Sequence, residues 1–196
     1  VCVEASQQEI ARRYFAALVD RRNDKVGDAV VAKLEFLMQQ NEITVSIRKA
    51  VAAARDKQAK TNEPACAIEL NDDTIVTGKT TRLLGAVSAM LLNALKTLAG
   101  IDDKVMLLSP SIIEPIQRLK TVHLGGHNPR LHSDEILIAL SISAVTNPVA
   151  ALAMQALAGL KGTECHSTVI LSQVDVNVLK KLGVNYTADP IYQTKN

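Results

Sequence analysis

The spacing of hydrophobic residues predicts two short strands followed by a long helix near the middle of the chain. Residues 66–70 and 74–77 are rich in β-branched or apolar side chains, and the polar stretch 71–73 between them suits a hairpin loop. From Thr80 to Ala99, apolar residues recur at i, i+3, i+4 and i+7, and hydroxyl groups at the start supply caps. We therefore predict a helix that is buried on most of its circumference.

Short apolar runs alternate with helical patterns over the rest of the chain. Helices are predicted to begin near residues 110, 134, 148 and 174, and three further strands are predicted at 105–108, 167–171 and 184–187. This order favours a mostly parallel sheet with helices on both faces, which is a three-layer α/β/α domain. In such folds ligands bind at the carboxyl ends of the strands, where helix N-termini follow.

The N-terminal part of the chain carries helical patterns only. A capping box at residues 6–9 starts the first of three predicted helices. The polar stretch 57–63 ends at Pro64, which disfavours helix at the residue before it. We place a boundary there and predict a small all-α subdomain at 1–63, followed by an α/β domain at 64–196.

Composition and charge narrow the class of protein. The chain has 22 Lys and Arg against 20 Asp and Glu, with no Trp, 2 Phe and 3 Tyr. This balance lacks the basic, aromatic-rich surface of a nucleic-acid-binding protein, so we expect no nucleic-acid partner. The three cysteines form neither a disulfide framework nor a C-x-x-C motif, and a reduced, cytoplasmic protein is the expectation.

One run without charges has the length of a membrane span. Residues 136–160 contain no charged side chain, and a stretch of that length can cross a bilayer. However, Asn147 and Pro148 are typical of a helix cap and a first helical position. We predict two buried helices that meet there, and no membrane partner.

Three predicted strand-to-helix junctions are rich in hydroxyl groups. Helix N-termini present unpaired N–H groups and a positive dipole end, which suits a phosphate or a carboxylate. We expect these junctions to bind a small anionic ligand, and ordinary N-capping is the alternative that the sequence leaves open. The anion-binding candidates are Lys79, Thr80, Thr81, Ser109, Ser111 and Ser172.

The polar loop at 121–133 carries the candidate catalytic residues Arg130 and His132. Both lie just before a predicted helix, and a guanidinium beside an imidazole could bind an anion and move a proton. The alternative is that Asp134 and Glu135 only complement the dipole of that helix.

The histidines of the same loop raise a metal alternative. His123 and His127 have a spacing that zinc accepts, with His132 nearby and Cys165 or His166 as a further ligand. No tightly paired ligand motif supports this set, so we assign no metal ligands.

Four segments of the chain resemble one bacterial family. They are IELNDDTIVTGKTTRLLGA, LSPSIIEPIQRLK, NPRLHSDE and HSTVILSQVDVNVLKKLGVN, and the similarity runs over nearly the whole chain. The chain is similar to the C-terminal part of the "domain of unknown function 1846" family. This resemblance implies no established activity. It also implies a missing N-terminal domain as a partner, which in that family is an α/β part with a phosphate-loop-like stretch.

The element order also resembles the cytidine-deaminase-like topology, in which a hairpin precedes the first helix. Deaminases hold zinc with a histidine or cysteine and a P-C-x-x-C motif. The corresponding positions here, 79–81 and 109–114, offer hydroxyl groups and an ammonium group but no zinc motif. The shape is therefore similar and the chemistry is not, and no cofactor is identified.

Two functional hypotheses follow from these patterns. The first is an anion-binding half of a larger cytosolic bacterial enzyme that acts on a phosphorylated or carboxylated small molecule. The second is a structural or oligomerisation module, present as a homo-oligomer, that supports the N-terminal nucleotide-binding-like domain. Neither hypothesis names a reaction.

Overall fold

A computed structural model describes residues 2–193, with only the backbone described at Cys2. Two short 3-10 turns at Val45–Ile47 and Ala156–Leu160 and a π turn at Leu119–His123 connect the longer elements. These longer elements are α1 (Cys2–Arg22), α2 (Asp28–Gln40), α3 (Lys49–Thr61), β1 (Ala65–Glu69), β2 (Ile75–Lys79), α4 (Ala86–Leu98), α5 (Pro110–Arg118), α6 (Ser133–Ser143), α7 (Pro148–Gln155), β3 (Glu164–Ser167), α8 (Gln173–Lys181) and β4 (Asn185–Ala188).

The four strands form one sheet in the order β2-β1-β3-β4. Strand β1 is antiparallel to both of its neighbours, whereas β3 and β4 are parallel. The antiparallel pair of β1 and β2 is the predicted hairpin, whereas the antiparallel pair of β1 and β3 differs from the mostly parallel sheet that we predicted. Because β1 alone is reversed, β2, β3 and β4 still run in one direction, and their carboxyl ends lie at the same edge.

The predicted hairpin is confirmed by the turn between β1 and β2. Asp73 has a φ of 67°, in the left-handed region, and the Leu70 N–H donates to the Thr74 carbonyl at 2.9 Å. The carboxylate of Asp72 accepts the Thr74 N–H at 3.0 Å. Asp tolerates the left-handed region and bonds to its own backbone, which explains why this polar stretch can turn the chain.

Helices pack on both faces of the sheet because alternate residues of β1 face opposite ways. Cys66 and Ile68 belong to the main hydrophobic core, which also contains α4, whereas Ala67 packs with Ala50 and Ala54 of α3. The N-terminal helices α1 and α3 thus contact the strands directly. The described residues up to 63 contain helices and turns only, and the division into two domains at that point stays a prediction.

Helix α4 lies directly against the sheet at Gly78. A Cβ atom at this position would overlap the backbone of Ala89 and Met90 in α4. Glycine is therefore required here for close approach of a strand and a helix. This contact fixes the position of α4 and of its first turn relative to the end of β2.

Four predicted element positions are wrong. Helix α1 begins at Cys2, so the predicted capping box at residues 6–9 lies inside this helix and does not start it. Residues 105–108 form a loop, in which Leu107 and Leu108 are buried while Val105 and Met106 are exposed, so the apolar run packs on the core without a strand partner. Helix α4 begins at Ala86 and not near Thr80, because the Thr81 hydroxyl accepts the N–H groups of residues 83 and 84 and forms a turn. Strand β3 covers Glu164–Ser167, and not 167–171.

The uncharged run forms two helices, as predicted, with a break at Asn147. The side-chain oxygen of Asn147 caps α7 by accepting from Val149 N. The prediction that both helices are buried is wrong for the outer face of α6, where Ile138 and Ile142 are exposed. Within residues 2–193, none of the helices combines the length and apolar character needed to cross a bilayer.

Candidate functional site

A small cavity lies at the edge of the sheet where β2 and β3 end. Its volume is about 70 Å³. It is lined by the residues at the start of three helices, namely Gly85, Ala86 and Val87 for α4, Arg130, Leu131 and His132 for α6, and Ser172 and Asp175 for α8, together with Thr80 and Ser167 at the strand ends. The structure thus places three helix N-termini around one cavity at the carboxyl ends of parallel strands, where ligands bind in α/β folds.

The carboxylate of Asp175 occupies the N-terminus of α6. It accepts the backbone N–H of Ser133 at 3.0 Å and the Ser133 hydroxyl at 2.7 Å. The hydroxyl of Ser172 donates to the same carboxylate at 2.7 Å and accepts the Asp175 N–H at 3.1 Å, so it also caps α8. The N-termini of α6 and α8 are therefore joined through one buried negative charge.

His132 forms a pair with Asp175. Its Nδ1 lies 3.4 Å from the Asp175 Oδ2 and 3.5 Å from the Ser172 Oγ. The hydrogen bond to Asp175 raises the pKa of His132 above its ordinary value. Burial acts to raise the pKa of Asp175, but the hydrogen bonds from His132 and Ser133 outweigh it and lower that pKa to about 2.

This arrangement leaves the other ring nitrogen of His132 free for chemistry. Asp175 and Ser172 both face Nδ1, and within residues 2–193 no hydrogen bond is made by Nε2. The constellation is therefore not a Ser-His-Asp triad, in which the serine and the carboxylate face opposite nitrogens. It is a carboxylate-oriented imidazole that can accept or donate a proton at Nε2.

Helix α4 differs from α6 and α8 because none of the described side chains caps it. The N–H groups of its first turn are free of intrahelical partners, and Ala86 and Val87 line the cavity. Thr80 lines the same cavity with a relative exposure of 2%, and its hydroxyl has no hydrogen-bond partner among the described side chains and backbone. These donors face a cavity rather than a protein acceptor, which is the arrangement that an anion requires.

Arg130 lies at the rim of this cavity. Its Nε donates to the Thr81 carbonyl at 3.0 Å, and its N–H donates to the Asn128 side-chain oxygen at 3.1 Å. In the part of the chain that the structure describes, the terminal guanidinium nitrogens have no protein partner. They can therefore add a charged, forked donor to the uncapped N-terminus of α4.

Lys120 and Glu135 hold the loop before α6 in place. Lys120 Nζ donates to the Arg130 carbonyl at 2.6 Å and to Glu135 Oε2 at 2.7 Å. The same carboxylate accepts the His132 N–H at 2.8 Å. Glu135 thus positions the loop, in addition to complementing the dipole of α6.

The remaining anion-binding candidates lie elsewhere. Lys79 ends β2 and Thr81 forms the turn that follows, and neither lines the cavity. Ser109 and Ser111 lie at the start of α5 with their hydroxyl oxygens 2.6 Å apart, also outside it. Of the six anion-binding candidates, Thr80 and Ser172 therefore line this cavity and the other four do not. The third helix start at the cavity belongs to α6 and not to α5.

The metal alternative is not supported by the geometry. His123 and His127 are exposed, whereas His166 is buried with its Nδ1 2.9 Å from the Thr187 Oγ1. Cys165 is a buried free thiol whose Sγ lies 3.3 Å from that of Cys66. Between residues 2 and 193, no three His, Cys, Asp or Glu side chains come close enough to hold a metal ion.

Sequence reasoning missed Asp175 and Lys120. Ser172 and Asp175 have the spacing of a capping box, which is a local signal for a helix start. The contact of Asp175 with His132 spans 43 positions and needs the fold to bring it about. No sequence pattern around Lys120 indicates that it contacts the loop before α6.

A family model and several similar proteins match this chain over most of its length. The family described as "Domain of unknown function DUF1846, C-terminal" matches residues 46–196. A UPF0371 protein of Corynebacterium glutamicum (strain R) is 53% identical over 194 residues, which is 99% of this chain and 39% of the relative. UPF0371 proteins of Streptococcus pyogenes serotypes M5 and M28 are each 52% identical over 191 residues, 97% of this chain and 39% of theirs. The chain therefore spans about two-fifths of the length of these relatives.

Proposed function

Because the chain belongs to the family whose C-terminal region is described as domain of unknown function DUF1846, we propose a function from the geometry alone. The cavity between the starts of α4, α6 and α8 binds the phosphate or carboxylate group of a small molecule. His132 transfers a proton to or from that molecule. Thr80, Arg130 and the first turn of α4 bind the anionic group.

One observation carries this proposal, namely the uncapped start of α4 beside the unpartnered hydroxyl of Thr80. The Thr80 hydroxyl lies at the wall of the cavity and makes no hydrogen bond to the described residues, so it can donate to a ligand in the cavity. An anion in the cavity supplies acceptors for this hydroxyl and for the N–H groups of Ala86 and Val87 at the same time. Arg130 at the rim neutralises its charge.

The pKa of His132 supports the second part of the proposal. Its elevation by Asp175 keeps a larger share of the imidazole protonated near neutral pH. A protonated imidazole attracts an anionic substrate and can then act as a general acid through Nε2. Asp175 also lines the cavity, and its role in this scheme is to hold the imidazole ring through Nδ1.

The proposed site is one part of a larger catalytic centre. A cavity of about 70 Å³ has room for an anionic group but not for a whole metabolite. The curated relatives extend well beyond the matched region, so we propose that further polypeptide supplies the rest of a cytoplasmic enzyme. The three-layer, cytidine-deaminase-like topology is part of this proposal, although a loop occupies 105–108, where a strand was predicted.

Binding of inorganic phosphate to variants of this chain tests the proposal. We expect Thr80→Val and Arg130→Gln each to weaken phosphate binding by about tenfold or more, because each removes a hydrogen bond to a charged group. Calorimetric titration measures the affinity, and thermal melting checks that the fold is intact. Ser109→Ala is the matched control, because Ser109 lies outside the cavity, and it should leave the affinity unchanged. Equal affinity for wild type and Thr80→Val would contradict the assignment.

A structural module remains the second candidate. It is favoured by Asp175, which already fills the α6 N-terminus with a carboxylate of the protein itself. In that case the three helix starts are joined to stabilise the fold, and no external anion is needed. Absence of phosphate binding by the wild-type chain would favour this module over the proposed site.

A further inference from the structure

Strand β4 lies at one edge of the sheet, and among residues 2–193 no strand pairs with its outer side. Its odd-numbered residues bond to β3, since the Asn185 N–H donates to the Thr163 carbonyl and the Asp189 N–H to the Ser167 carbonyl, both at 2.9 Å. In a strand, successive residues direct their N–H and C=O groups to opposite sides, so those of Tyr186 and Ala188 point away from β3. Such unpaired edge groups are a template for pairing with another strand.

Helices α1 and α8 leave a groove along this edge. Helix α1 packs on β4 from the face that carries His166, where the Phe15 ring lies 4.8 Å from the imidazole. Helix α8 packs on β4 from the opposite face, with Leu179 in the main core. Between the two helices lies a cavity of about 510 Å³, with Tyr186, Thr187 and Ala188 among its lining residues. We call this space the β4 groove.

We propose that the β4 groove accepts an extended peptide segment, which adds a fifth strand to the sheet beside β4. The segment belongs to the polypeptide by which the longer members of this family exceed the present chain. Its backbone pairs with the outward N–H and C=O groups of Tyr186 and Ala188. This inference does not depend on the anion site, although Ile170 and Leu171 line both cavities.

The length of the relatives supports this occupant. The matched region is 39% of the Corynebacterium glutamicum relative, and the matching family model describes a C-terminal region, so most of that protein's remaining polypeptide precedes the match. In the structure, Glu9 lines the β4 groove only seven residues after Cys2. At about 1.5 Å per helical residue this is roughly 10 Å, which three or four extended residues can span. Polypeptide that precedes α1 in the relatives therefore emerges beside the groove.

A second copy of the chain is the competing occupant of this edge. Its own β4 also lies between α1 and α8, so the helices of both copies would have to fit around the paired strands. A single extended segment brings no helices with it.

The lining of the groove defines the chemistry of the segment. Ala16, Val19 and Val176 supply apolar contacts. Arg13 is paired with Glu9, whereas Lys180 has no ion-pair partner within residues 2–193. The segment therefore alternates apolar residues with polar ones, as strands at a half-buried position do, and places an acidic residue opposite Lys180.

Amide hydrogen exchange, measured residue by residue, tests this proposal. In the 196-residue chain, the N–H groups of Tyr186 and Ala188 should exchange at least about a hundredfold faster than that of Asp189, which is bonded to β3. At the aligned positions of the full-length Corynebacterium glutamicum relative, the outward amides should be protected to the same extent as the inward ones. Equal exchange of the outward amides in the two proteins would overturn the proposal.

A proline variant gives a second, independent readout. Ala188→Pro, made at the aligned position of the full-length relative, removes one outward N–H without touching the bonds to β3. The amide aligned with Tyr186 should then lose its protection, whereas the matched variant Ala188→Gly should retain it. Retained protection in the proline variant would overturn the proposal. A dimer of the 196-residue chain that Ala188→Pro dissociates would do so as well, by assigning the edge to a second copy.

Discussion

The ion pair formed by His132 and Asp175 makes the stability of the fold depend on pH. The pKa of His132 is raised, so its pairing stabilises the fold below the ordinary pKa of about 6.5 and is lost as the pH rises through the elevated value. The pKa of Asp175 is lowered to about 2, so its contribution is present above the ordinary carboxyl pKa and is lost as the pH falls towards 2. The pair therefore contributes most in mildly acidic solution.

We expect His132→Gln to show this dependence directly. The variant should be less stable than wild type by roughly 1 kcal/mol near pH 6, and this difference should shrink towards zero by pH 9. Urea unfolding at several pH values measures the free energy of unfolding. His127→Gln is the control, because His127 is exposed and lies outside the cavity. A difference that does not change with pH would contradict the pairing of His132 with Asp175.

Local sequence patterns identified some residues of the candidate site but not their common geometry. Thr80, Ser172, Arg130 and His132 lie next to predicted helix starts, and all four line the cavity. Asp175 could not be assigned to His132 from sequence, because its contacts depend on how α6 and α8 pack. Ser109 carries the same local signal as Ser172, but the fold directs it to another part of the surface.

At the level of elements, buried ion pairs attach the helices α1 and α3 to the sheet. Arg48 has a relative exposure of 0%, and its guanidinium donates to Glu164 at 2.6 Å and to the Cys165 carbonyl at 3.1 Å. Arg12 of α1 donates to the other oxygen of Glu164 at 2.7 Å. One carboxylate of β3 thus binds a residue of α1 and the residue that directly precedes α3, which holds both helices against the sheet.

Glu164→Gln should therefore be strongly destabilising. The substitution leaves the buried guanidinium of Arg48 without its counter-charge, and we expect a loss of roughly 3 kcal/mol in the free energy of unfolding. The control is Lys60→Met, which breaks an exposed pair with Asp56 and should cost about 0.5 kcal/mol or less. Chemical denaturation of both variants measures the difference. Equal costs would show that Glu164 does not hold the helices in place.

Helices and strands were predicted correctly where the hydrophobic pattern was long or where specific turn residues supported it. The amphipathic patterns of α1 to α3 and the hairpin were predicted, because many residues or a specific turn contributed to each. The run 105–108 has only four apolar residues, and such a run is equally compatible with a buried loop. The start of α4 was placed too early, because Thr81 forms a local turn that resembles a helix cap.

On the scale of the whole molecule, the common direction of β2, β3 and β4 follows the prediction, whereas the reversal of β1 between β2 and β3 does not. The order β2-β1-β3-β4 with a reversed β1 cannot be read from the order of elements along the chain. However, β2 and β3 still run in the same direction, so the helices that follow them start at one edge. The starts of α4 and α8 therefore share one cavity with the start of α6, although the reversal of β1 beside β3 was not predicted.

The most direct test of the account is a titration of the isotopically labelled chain with inorganic phosphate, followed by NMR at each backbone amide. We expect the largest shifts at Thr80, Ala86 and Val87, with smaller changes at His132 and none at Ser109 or Ser111. Shifts confined to the start of α5, or no saturable shifts at all, would contradict the claim that the uncapped N-terminus of α4 is an anion site.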